Sequence, residues 1–105
     1  PQSITKNNKI KLEEGMVISN EPGYYEKNKF GIRIENLIFI KKYKKKKYFE
    51  NLTMVPIDKD MIDRKILNMR EITWLNKYHK KVYENLSDKM DKNEISQLKQ
   101  ACSAI

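Results

Sequence analysis

The chain has 105 residues, with 22 Lys and Arg against 14 Asp and Glu and a net charge of +8. That length permits one domain or a piece of a larger one, and 39% hydrophobic with 34% charged residues permits only a small core while excluding a disordered chain. A single cysteine, Cys102, excludes an internal disulfide framework and a Cys-based zinc site, and apolar runs of four residues such as Leu37 to Ile40 fall far short of the roughly 20 that cross a bilayer.

Nineteen of the positive charges are Lys, and together with ten Asn they are spread over the whole chain. That spread reads as compositional bias and not as one interaction site, so the +8 points only weakly to nucleic acid. The chain starts at Pro1 without Met or an apolar leader, so no secretory signal is visible and a cut from something longer is expected.

Two halves differ. Residues 1–58 carry strand patterns and all three Gly, whereas residues 59–105 contain no Gly or Pro and read as helix. Met16 to Asn20 predicts a strand entered from Gly15 and stopped by Glu21-Pro22-Gly23, the chemistry of a tight turn. Ile32 to Ile40, long and β-branched, predicts one continuous strand. The Lys-rich stretch Lys41 to Lys47 predicts a link to an extended segment, Tyr48 to Val55, that returns antiparallel.

Asp58 to Asp63 reads as turns. Ile72, Leu75, Tyr78, Val82 and Leu86 recur at helical spacing over about Arg70 to Leu86, with Asn68 and Glu71 resembling a capping box. Asp91 and Glu94 repeat that box before a shorter helix with Ile95, Leu98 and Cys102 on its apolar side. The fold class is α+β, antiparallel strands followed by C-terminal helices.

The predicted strand Ile32–Ile40 holds an anomaly. Alternation puts Arg33, Glu35, Leu37 and Phe39 on one face and Ile32, Ile34, Ile38 and Ile40 on the other. Both faces are mainly apolar, so the strand is expected to be covered on both. Burying ionised groups costs several kcal/mol each unless they are paired or bind a metal. Arg33 and Glu35 therefore read either as a structural ion pair or as part of a site. Glu21, held at a strand end before Pro-Gly, reads either as a solvated turn acid or as its partner. On neighbouring antiparallel strands the two glutamates could face one another, and paired carboxylates repel unless a cation lies between them. Two are too few to close a metal site.

The run Leu12-Glu13-Glu14-Gly15-Met16-Val17-Ile18-Ser19-Asn20-Glu21-Pro22-Gly23-Tyr24-Tyr25-Glu26, then Phe30-Gly31-Ile32-Arg33-Ile34-Glu35-Asn36, closely resembles the C-terminal part of the catalytic domain of Xaa-Pro aminopeptidases. The resemblance continues through Phe49 to Ile57, Met61 to Asp63 and Trp74 to His79, and Pro1 to Ile4 resembles the stretch that follows an active-site His. It implies the C-terminal portion of a pita-bread fold and a centre of two divalent ions, most often manganese, with zinc or cobalt as alternatives. It implies Glu21 and Glu35 as metal ligands, Glu35 bridging the two ions, with Glu21, Arg33 and Tyr25 as the catalytic group. The remaining two Asp and the His ligands would lie upstream of this chain, and His79, in the helical half, is expected to pack and not to bind metal.

The implied reaction is hydrolysis of the N-terminal bond before proline, with Glu21 passing a proton to the leaving nitrogen. Peptides with proline in second position would be the substrates, in a cytoplasmic homodimer that uses the helices around Trp74 and Tyr78, with no nucleic acid or membrane partner. Two other readings are a basic binding module built on Lys41 to Tyr48, and a catalytically dead interaction module of the same fold. Against the first, Arg is absent from that run.

Overall fold

The computed structural model describes residues 7–105, so Pro1 to Ile4 lie outside the described residues. Gly15 turns the chain into its first strand at φ 84°, a left-handed angle that glycine adopts without a steric penalty. Strand β1 (Val17–Asn20) follows, then β2 (Gly23–Glu26), β3 (Phe30–Arg33), β4 (Asn36–Tyr43) and β5 (Lys46–Asn51). They form two antiparallel sheets, one ordered β1-β4-β5 and the other the hairpin β2-β3. The chain divides into two compact units, the first ending at Thr53 and the second running Met54–Ile105.

The expected continuous strand Ile32–Ile40 is broken in two. Its first part pairs with β2 and its second part with β1 and β5, so the chain changes sheets at Ile34–Glu35. At the crossing Ile34 N donates to Pro22 O at 3.2 Å. Within this chain it is covered on one face only. Ile38 and Ile40 are buried with Ile18 against Leu12 and Met16, while Ile32, Ile34 and Leu37 stay exposed in this chain.

The Pro22-Gly23 step is not a glycine-dependent turn either. Among the described glycines only Gly15 has positive φ, and Gly23 opens β2. The expected Lys-rich link is mostly ladder: Lys41↔Tyr48, Lys42↔Lys47 and Tyr43↔Lys46 are cross-strand partners. That leaves Lys44 and Lys45 as the turn, with Lys44 at φ 54°. The returning strand stops at Asn51, short of the expected Val55.

In the second unit, helix α1 (Met69–Leu86) starts at the expected capping box. Asn68 Oδ1 accepts from Arg70 N at 2.9 Å and Glu71 N at 3.1 Å, and Glu71 Oε2 accepts from Asn68 N at 2.9 Å. Asp91 and Glu94 do the same for α2 (Lys92–Ala101). Tyr78, Val82 and Leu98 form the core, with Met54, Ile57, Leu86, Met90 and Cys102 against it. Lys59 Nζ donates to the carbonyls of Gln100 at 2.8 Å and Ser103 at 3.0 Å, a cation placed on a helix C-terminus. No helix among the described residues is long and apolar enough to cross a membrane.

His79 is wholly buried on α1. Its Nε2 accepts from Ile57 N at 3.0 Å, and Tyr78 donates its hydroxyl to Val55 O at 2.7 Å, so two side chains of α1 fasten the Val55–Ile57 segment. Acceptance at Nε2 requires the neutral ring. Burial, and then the charge of Lys59, push its pKa below the ordinary 6.5. The unfolded chain therefore takes up a proton near 6.5 that the folded chain refuses, and stability falls as pH drops below that value. Urea unfolding of the wild type should show this loss between pH 6.5 and the carboxylate range, and His79→Gln, which keeps an acceptor for Ile57 N, should flatten it.

Candidate metal centre

Three short strands meet at the site. Register pairs Asn20 with Asn36 at the end of the β1-β4 ladder, so Glu21 and Glu35 are the next residues beyond that pair on adjacent chains. Arg33, the last residue of β3, reaches both. Its Nη1 lies 3.6 Å from Glu21 Oε2 and its Nη2 lies 3.2 Å from Glu35 Oε2. The sheet change at Ile34 makes this possible, since it lets residues two apart converge with a third from another strand.

The electrostatics follow the geometry. Arg33 is held above its ordinary pKa by the charge of Glu35 first, then by a hydrogen bond and charge interaction with the Tyr25 phenol, then by Glu21. Tyr25 and Arg33 are diagonal neighbours on one face of the β2-β3 hairpin, where Gly23 pairs with Arg33 and Tyr25 with Gly31. Ser19 Oγ donates to Glu21 Oε1 at 2.7 Å. One oxygen of Glu21 is thus held by a hydroxyl and the other lies by the guanidinium.

All four residues singled out in the sequence, Glu21, Tyr25, Arg33 and Glu35, come together. His79 does not join them: it belongs to the helical core. Two residues were not anticipated. Ser19 shares a strand face with Glu21, and that i, i+2 spacing is the signal that would have found it. Gly31 is the other, legible only once its cross-strand partner is known.

Carboxylate oxygens are hard donors suited to manganese, magnesium, calcium or zinc. Two glutamates beyond the end of the β1-β4 ladder, with a guanidinium offsetting their repulsion, fit part of a cation site. Among the described residues no cluster of three or more His, Cys, Asp or Glu could hold a metal ion, so further donors would have to come from elsewhere. The side chains are open in this chain, with Arg33 49%, Glu21 45% and Glu35 43% exposed.

Residues 1–42 match the family model described as metallopeptidase family M24, and residues 47–105 match that of the C-terminal region of peptidase M24. The chain is 40% identical over 108 residues to a probable Xaa-Pro aminopeptidase P of Laccaria bicolor, covering 93% of this chain and 17% of that protein. It is 44% identical over 97 residues to aminopeptidase P2 of Arabidopsis thaliana, covering 83% and 14%. It also superposes on an X-prolyl aminopeptidase of Caenorhabditis elegans, described as a cytosolic enzyme with a di-nuclear active site. That match has a TM-score of 0.80 and 34% identity, and covers 96% of this chain and 18% of the other. The chain therefore spans less than a fifth of the length of these proteins.

Ion pairs as exposed as those of Arg33 are screened by water and contribute little to stability. Arg33→Met should leave the urea unfolding midpoint of the protein near that of wild type, whereas Val82→Ala, which empties a fully buried position, should lower it clearly. A comparable drop for Arg33→Met would make the arginine a structural clamp.

Proposed function

The chain belongs to metallopeptidase family M24, and from that membership we propose that it supplies one part of a dinuclear metal centre. The enzyme would hydrolyse the N-terminal Xaa-Pro bond of peptides and release the first amino acid. What carries this reading is the placement of Glu21 and Glu35 within ion-pair distance of one guanidinium, Arg33, in a chain that carries the C-terminal portion of a pita-bread fold and superposes on part of the C. elegans aminopeptidase.

Glu21 and Glu35 are the proposed metal ligands. When bound, two divalent ions, manganese in our reading with zinc or cobalt as alternatives, supply Lewis-acid polarisation of the scissile carbonyl and acidify the attacking water. The rest falls to the chain's own side chains. Arg33 holds the carboxylates of Glu21 and Glu35 in register, as groups around a metal site orient its ligands. Ser19 fixes Glu21 Oε1, which limits the rotation of that carboxylate. Glu21 takes the proton of the attacking water and delivers it to the leaving imino nitrogen. Tyr25 is proposed to contact the peptide. Proline in second position gives a tertiary amide without N–H and a fixed φ, so a site dedicated to that bond has a chemical rationale.

We assign the enzyme to the cytoplasm, supported by the description of the C. elegans protein as cytosolic. We propose a homodimer through the helical unit, for which the exposed Trp74 is a candidate contact.

In the full-length protein, Glu35→Gln should abolish divalent metal content and cleavage of a peptide with proline in second position together. Metal analysis and a peptide assay read the two, and retention of both sinks the assignment. Residues 1–105 alone, supplied with manganese, should cleave no such peptide. Measurable turnover would mean that two glutamates suffice.

A further inference from the structure

The β2-β3 hairpin presents Gly23, Tyr25, Gly31 and Arg33 on a single face. Pairing sets Tyr25 opposite Gly31 and Gly23 opposite Arg33, and residues two apart on a strand share a side. The Tyr25 ring lies flat on this face. A Cβ at Gly31 would stand 2.5 Å from Tyr25 Cδ1 and 3.0 Å from Cε1, and a Cβ at Gly23 would stand 2.8 Å from both Cε2 and the phenol oxygen. Real Cβ contacts are essentially never under 3.0 Å, so neither position can carry a side chain while the ring stays.

The backbone does not demand glycine here. Neither residue has positive φ, and alanine would fit both conformations. The demand comes from the ring. A cross-strand aromatic covering a glycine is a known way to pin a strand pair, and here the covering ring ends at the guanidinium that sits between Glu21 and Glu35.

We propose that Gly31 and Gly23 are positioning residues, a platform without Cβ atoms across which Tyr25 lies, so that its phenol is held over Gly23 beside the cross-strand Arg33. The role of that placement in turnover rests on the aminopeptidase reading above. The platform itself rests on the hairpin alone. With the ring lifted, Arg33 loses the neighbouring phenol but keeps its ion pairs to Glu21 and Glu35, so the variants act on turnover and leave the metal ligands in place. At Gly31 the conflict is with the root of the ring, where a small shift is no remedy. At Gly23 it is with the tip.

The test uses the full-length enzyme with Gly31→Ala, Gly23→Ala, Tyr25→Phe and the double variant Gly31→Ala/Tyr25→Phe. A crystal structure of Gly31→Ala should show the Tyr25 ring turned off the hairpin with the backbone unchanged. Metal content should match wild type, while kcat falls roughly tenfold, the order expected when one polar contact to a charged group is lost. Tyr25→Phe should fall by a similar factor, and the double variant should fall no further than Tyr25→Phe, because Gly31 acts through the hydroxyl that is already gone. A ring that stays in place in the alanine variant, or losses that multiply in the double variant, overturn the proposal. If Gly31→Ala does not fold, Gly23→Ala is read by the same structure and kinetics. If the wild-type enzyme cleaves no Xaa-Pro peptide, the functional reading falls, and the ring position in the variant crystal still decides the platform.

Discussion

Two carboxylates placed side by side at the end of a sheet repel, and a single guanidinium offsets that repulsion in this chain. Arg33 lies within ion-pair distance of both Glu21 and Glu35. Everything else about the first unit can be read as what is needed to deliver those three groups to one point. Glu21 and Glu35 come from the ladder β1-β4 and Arg33 from the separate hairpin β2-β3, so neither sheet alone contains the cluster. The change of sheet at Ile34–Glu35 is therefore what brings the three groups together, fastened by the hydrogen bond to Pro22 O.

The same arrangement explains why the ion pairs are arranged for geometry more than for stability. Arg33 and both glutamates keep close to half their side-chain surface exposed, where water and salt weaken Coulombic attraction. The cohesive part of this unit is elsewhere, in Ile18, Ile38 and Ile40. Separating the apolar cluster from the charged one lets carboxylates stand close together without the desolvation penalty that burial would impose. The second unit follows an ordinary helical logic, with capped N-termini, an apolar stripe and a lysine on the final carbonyls.

Much of this was legible in the sequence, and for local reasons. Both capping boxes depend on residues three apart, and the α1 stripe on a fixed period, so neither needs knowledge of a partner. That Glu21 and Glu35 could face one another was legible, because antiparallel strands joined across a turn bring their ends together. The hairpin β2-β3 was not. Its strands have four residues each and its turn runs through Asn28 at φ 59° instead of through a glycine. The break in Ile32–Ile40 was hidden for a different reason. A β-branched run records a preference for extended backbone but not which neighbour it pairs with, and here the neighbour changes midway. His79 read correctly as a packing residue, yet its bond to Ile57 N depends on a contact 22 residues away that no spacing encodes.

The charged cluster also has a short path through the chain. Ser19, Glu21, Tyr25, Arg33 and Glu35 are all drawn from one stretch between β1 and the start of β4. Loop-closure entropy grows only slowly with length and is small for a segment of this size. Contacts of such low sequence separation are also among the earliest a chain can make. Two hairpin-like pairings thus suffice to bring the acidic edge and its guanidinium together. Under the proposed reading, donors from upstream of this stretch would meet a half that is already assembled, and the entropic cost of joining them would fall on the distant segment alone.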